Sequence, residues 1–83
     1  MILKELKVNL NQVEDVKQFT EIANKFDMDI IVRNINRKFA VDAKSIMGVL
    51  SLNLSEPVLV CVDDSEDNEE SSQFVQHMQQ FLV

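Results

Sequence analysis

Glycine occurs once in this chain, at Gly48, and that scarcity is the first constraint on its chemistry. A phosphate-cradling loop needs several glycines so that backbone N–H groups can close on the anion, and one glycine cannot build it. Histidine also occurs once, at His77. With one histidine and no glycine-rich turn to present a nucleophile, no Ser-His-Asp or Cys-His grouping can be argued from the sequence. Cys61 stands alone, which excludes a disulfide framework and a multi-cysteine metal cluster. In an apolar run it reads as a small core residue. No apolar stretch approaches the roughly 18 residues of a membrane span. The opening MILKELKV alternates with charges where a signal peptide would carry an apolar block. Basic residues are few: eight Lys and Arg stand against fourteen Asp and Glu, for a net charge of −6. The cations are dispersed, only Arg37-Lys38 being adjacent, so a nucleic-acid partner is not expected. The plain expectation is a cytoplasmic, bacterial-type protein.

What is present suits one small domain spanning residues 1–83. The chain is 46% hydrophobic and 27% charged, an ordinary globular balance, with no linker, repeat or low-complexity tract. Asp63, Ser65 and Asp67 have the spacing that opens a calcium loop. Asn68 stands where that loop needs glycine and Phe74 where it needs glutamate, so no metal site is expected.

The apolar pattern predicts the element order β-α-β-β-α-β-α. Leu6, Val8 and Leu10 alternate with Glu5, Lys7 and Asn9 as a half-buried strand. Asn11 is the expected cap of the first helix, with Glu14 closing a capping box and the helix ending near Lys25. Met28–Ile35 and Lys38–Val41 read as the next two strands, separated by the turn residues Asn34 to Arg37. Ser45 is placed to cap a second helix over Ile46–Leu52, ended by Asn53 in a left-handed conformation. Pro57 opens a nearly all-apolar run through Val62, fit for a central strand. The last helix is expected to start near Asp67 and to present Phe74, Val75, Met78, Phe81 and Leu82 on one face. Phe19, Ile22, Phe26, Val60, Phe74 and Met78 are the expected core. His77, beside Gln73 and Gln80, falls on the polar side of its helix. The second helix carries more apolar side chains than one face can bury. Ile46 and Met47 are either a core edge or a surface for a partner.

The run "AKSIMGVLSLNL", with this element order and length, resembles HPr, the small phosphocarrier of the bacterial sugar phosphotransferase system. The likeness spans approximately Val16 to Val83 and is strongest over Phe39–Leu54. There Lys44-Ser45-Ile46-Met47-Gly48 matches the family's regulatory-serine segment. Gln18 to Phe26, "QFTEIANKF", is similar to the family's first helix. The resemblance implies an α+β open-faced two-layer sandwich, three helices on a four-stranded antiparallel sheet.

HPr carries its phosphate on a histidine within a Gly-Leu-His-x-Arg-Pro stretch at the start of the first helix. Counted back from Phe19, that histidine falls on Gln12 and the arginine on Glu14. The Gly-Leu and the Pro are missing. The catabolite-repression paralogue of HPr likewise has glutamine for the histidine and keeps the serine, although it retains more of the surrounding frame. The resemblance therefore implies no catalytic residue and no cofactor. It implies a phosphorylatable Ser45 and partner contacts through Lys44, Ile46 and Met47. HPr kinase/phosphorylase and a LacI-type catabolite repressor are the partner classes it suggests, with a monomer expected. Three readings stay open from sequence: a non-catalytic regulator, a phosphocarrier with an unrecognised acceptor, and an HPr-fold module in an unrelated complex whose Ser45 is only a cap.

Overall fold

The computed structural model describes residues 3–63 and 69–83. Its elements are β1 (Leu3–Val8), α1 (Val13–Ala23), β2 (Ile30–Asn34), β3 (Ala40–Asp42), α2 (Ile46–Leu50), β4 (Val58–Asp63) and α3 (Glu69–His77). A single 3-10 turn, Gln79–Phe81, follows α3. The sheet order is β1-β4-β2-β3 and every pairing is antiparallel. The valine-rich β4 thus takes an inner place, as its β-branched run suggests.

The three helices cover one face of that sheet. Val8, Val58, Val60, Val62, Ile30 and Val32 point into it and cluster with Val16, Phe19, Ala23, Phe74 and Met78. The period-2 alternation of the strands leaves the opposite face open, where Glu5, Lys7 and Ile31 are exposed. Of the expected core, Phe19, Phe26, Val60, Phe74 and Met78 are buried, while Ile22 packs at the margin.

Several boundaries differ from the sequence reading. Gln12, not Asn11, caps α1: its backbone is extended, and its N–H donates to Asp15 Oδ2 at 3.3 Å, so Asp15 replaces Glu14 in the box. The helix stops at Ala23 with Asn24 as C-cap, short of Lys25. β2 is shorter than the Met28–Ile35 run, since it pairs with β4 only from Ile30 to Asn34, and β3 is shifted from Lys38–Val41 to Ala40–Asp42, the residues that pair with β2. α2 ends at Leu50 with Ser51 as its cap in a right-handed conformation. Asn53 instead holds a turn, its Oδ1 accepting from the backbone N–H and the hydroxyl of Ser55. The expected start of the last helix at Asp67 lies outside the described residues, as do Ser65 and Asn68.

Candidate functional site

Ser45 sits where β3 ends and α2 begins. Its Oγ accepts from the Gly48 N–H at 3.1 Å, satisfying one of the donors that a helix start leaves without a partner. The approach to it is equally fixed. Asp42 accepts from Lys44 N through Oδ1 at 2.9 Å and from Ser45 N through its carbonyl at 3.0 Å. From the other side, Asn24 donates to the Lys44 carbonyl at 3.1 Å and to Thr20 O at 2.8 Å, tying the end of α1 to the start of α2.

Gly48 lies close against the cap. A Cβ at that position would lie 3.3 Å from Ser45 Oγ and 3.3 Å from Val41 Cβ, so a side chain there would require those neighbours to give by a few tenths of an ångström.

Beyond the cap, α2 divides by face. Val49 is fully buried, whereas Ile46 is 43% exposed, Met47 78% and Leu50 39%. The surplus of apolar side chains therefore forms an outward surface beside Ser45. Lys44 is half-buried at its edge.

Gln12 is exposed at the opposite end of α1, with Val13 exposed beside it and Glu14 and Asp15 in the first turn. The eleven residues of α1 rise about 1.5 Å each, so roughly 16 Å of helix separates the Gln12 end from the Asn24 end that meets Lys44. Lys44, Ser45, Ile46 and Met47 are consecutive in the chain, and the fold leaves Gln12 apart from them. His77 is exposed on α3, its ring 6.1 Å from that of Phe26. Among the described residues, no three His, Cys, Asp or Glu side chains are grouped as a metal would require.

Cys61 is buried, as expected of a small residue in an apolar strand, at 4% exposed, but it lies on the odd-numbered side of β4 and outside the cluster that the helices cover. Its thiol reaches Glu5 Oε2 at 3.8 Å. Burial, and then the Glu5 carboxylate, push the thiol pKa upward against a smaller opposing effect of Arg33. Burial and Glu5 both favour the protonated thiol, the less nucleophilic form.

Two further residues were not singled out from sequence. Asn34 reads as turn chemistry, but it is buried: its Nδ2 donates to Asn53 O at 2.8 Å and its Oδ1 accepts from Asn53 N at 3.1 Å. Asn24 reads as a polar helix residue and proves to be the tie to Lys44. Both act across long sequence separations, so no local pattern marks them.

An antiparallel four-stranded sheet under three helices, with a capping serine opening a short second helix, defines a small α+β open-faced sandwich of the phosphocarrier kind. The chain belongs to the HPr family: residues 14–82 match the family described as PTS HPr component phosphorylation site. The matched span holds Ser45 and begins after Gln12. Among solved structures, the chain is similar to the phosphocarrier protein HPr from Bacillus anthracis, at 21% identity and TM-score 0.67 over 99% of this chain and 96% of that one. It is also similar to HPr-C-His from Thermoanaerobacter tengcongensis, at 27% identity and TM-score 0.69 over 96% and 93%. No curated protein matches it. Its fold is thus that of phosphocarriers related to the phosphotransferase system, proteins that work by contact with other proteins and are not themselves enzymes. No helix among the described residues is long and apolar enough to cross a membrane.

Proposed function

We propose that this HPr-family chain is a non-catalytic regulator that acts through protein–protein contacts around a phosphorylatable Ser45. The observation that carries the reading is the pairing of a capping serine with an exposed apolar surface, Ile46 and Met47, on the same short helix. A phosphate on Ser45 brings about −1.5 to −2 charges to a helix start, where backbone N–H groups and Lys44 favour it. The helix then persists, and the change is local: a dianion stands beside Ile46 and Met47. Partners offering Arg or Lys gain a contact, and purely apolar ones lose fit through desolvation. HPr kinase/phosphorylase as the modifying enzyme and a LacI-type catabolite repressor as the reader belong to this proposal. So do a cytoplasmic setting and a monomeric, single-domain state, the last supported by the one core that the described helices and strands share.

Transfer from phosphoenolpyruvate is not part of this function. Gln12 occupies the cap of α1, and an amide is no nucleophile for a phosphoryl group. Glu14 and Asp15 set negative charge in the turn that would have to receive an anion. Incubation with enzyme I and phosphoenolpyruvate should therefore leave the mass unchanged. Appearance of an acid-labile phosphate would favour a phosphocarrier with an unrecognised acceptor. ATP-dependent labelling by HPr kinase should mark the wild-type chain and spare Ser45→Ala. Equal labelling of both, or of neither, leaves Ser45 a plain helix cap in an interaction module of another complex.

A further inference from the structure

Three of the eight Lys and Arg, namely Arg33, Arg37 and Lys38, fall within six residues of the chain and line one depression of about 450 Å³ at the β2–β3 turn. The turn is built around a cation. Arg33 Nη1 donates to the carbonyls of Asn34 at 3.3 Å, Ile35 at 2.9 Å and Arg37 at 3.0 Å. That wrapping fixes the backbone from which Arg37 and Lys38 project into solvent.

A second depression, of about 380 Å³, shares Arg37 with the first and is lined by Phe39 and Leu52. Phe39 is 68% exposed, whereas the other four phenylalanines of the chain are buried. Among the described residues lining the two hollows, none is acidic. A chain of net charge −6 thus gathers cations and an exposed aromatic ring at one corner.

We propose that this β2–β3 corner is a docking surface for an acidic protein segment that carries an exposed aromatic or aliphatic side chain. The carboxylates would meet Arg37 and Lys38, and the apolar side chain would lie on the exposed ring of Phe39. A small anion would use the cations and leave Phe39 wet. A nucleic acid, with its continuous run of phosphates, needs more cations than the two exposed ones, Arg37 and Lys38, that this corner offers. Only a ligand both anionic and apolar uses the whole corner. The turn follows Asn34 at one end of β2, while the Ala43 N–H donates to Ile30 O at the other end, where the chain turns toward Ser45. Ser51 and Leu52 bring the second hollow up to the end of α2 opposite its Ser45 cap.

The test is a titration of the 15N-labelled protein with a short synthetic peptide of aspartates around a central phenylalanine, followed by amide shifts. Shifts should concentrate at residues 34–39 and 51–53. Arg37→Glu with Lys38→Glu should weaken binding by about tenfold or more, the scale of two lost and reversed ion pairs. Phe39→Ser, or serine in place of the peptide's phenylalanine, should also weaken it. All three side chains are exposed, so unshifted core resonances will show that the variants fold. Ionic strength of about 0.5 M should weaken the wild-type complex, because screening then acts within a few Å. Three results would overturn the proposal: shifts centred on Ile46 and Met47, no loss in the charge-reversed variant, or an oligothymidine bound as tightly as the peptide.

Discussion

At the residue scale, Ser45 and Cys61 show how differently two small polarizable groups are used. Ser45 spends its oxygen on the Gly48 N–H, a bond whose loss on replacement by alanine costs about 1 kcal/mol. Ser45→Ala should therefore lower the thermal midpoint by roughly 4–8 °C, the usual response of a domain this size. Ser45→Asp should keep most of it, since a carboxylate also accepts from that N–H and suits the helix start. A midpoint unmoved by alanine would show that the cap contributes nothing. Cys61 is held protonated by burial and by Glu5, and both effects oppose the thiolate. The folded-state pKa lies above the ordinary value of 9.0, so above that pH the unfolded chain releases a proton that the native state retains. Stability should be insensitive to this group below pH 9.0 and should fall as pH rises beyond it. Denaturant midpoints of the wild type and Cys61→Ala should accordingly converge or diverge only on the alkaline side, with the wild type losing more. Parallel pH profiles, or alkylation by iodoacetamide at the rate of free glutathione near neutrality, would contradict the buried, protonated thiol.

At the scale of elements, the sequence shows well what repeats locally and poorly what closes at a distance. The seven-element order and the Ser45 cap follow from apolar periodicity and cap chemistry, signals carried within a few residues. The ends of elements do not. Asn11 and Gln12 are both polar and both precede an acidic residue by three positions, so the choice of Gln12 rests on how the chain leaves β1. Cys61 lies in a run apolar on both faces, which hides which face meets the helices. Asn34 is the clearest case, since a side chain suited to a turn instead holds the loop after α2 by two backbone hydrogen bonds to Asn53. That loop leads into β4, so the amide joins the end of β2 to the start of its central neighbour. Asn34→Ala leaves the Asn53 N–H and carbonyl without these partners, at a cost of about 1–3 kcal/mol. Urea unfolding should show that loss, along with faster hydrogen exchange of the Asn53 amide. Exchange at Asn53 unchanged in the variant would mean that water replaces the amide freely.

At the scale of the whole molecule, two aromatic contacts join the first half of the chain to the last. Phe19 in α1 meets Phe81 edge-to-face, with centroids 6.3 Å apart, and Phe26, just past α1, meets Phe74 in α3 at 5.6 Å and 85°. Backbone bonds reinforce the closure: Asn9 N donates to Phe81 O at 2.8 Å and Val83 N to Lys7 O at 3.1 Å, alongside β1. A domain of this size buries only about 60–65% of its unfolded surface, so its stability depends on a few large side chains. Phe74 is among the largest of those fully buried, and it joins the core cluster with its ring against Phe26. Phe74→Ala removes the ring from water-free surroundings and leaves a cavity, a change that typically costs about 3–5 kcal/mol. Against a total of about 5–15 kcal/mol for a natural domain, that loss is decisive. Phe74→Leu keeps most of the apolar volume and should cost clearly less. Denaturant titration of the three proteins should thus rank wild type, leucine and alanine in that order, with alanine partly unfolded at 37 °C. Equal midpoints for all three would mean that α3 does not complete this core and that the edge-to-face contact with Phe26 is incidental.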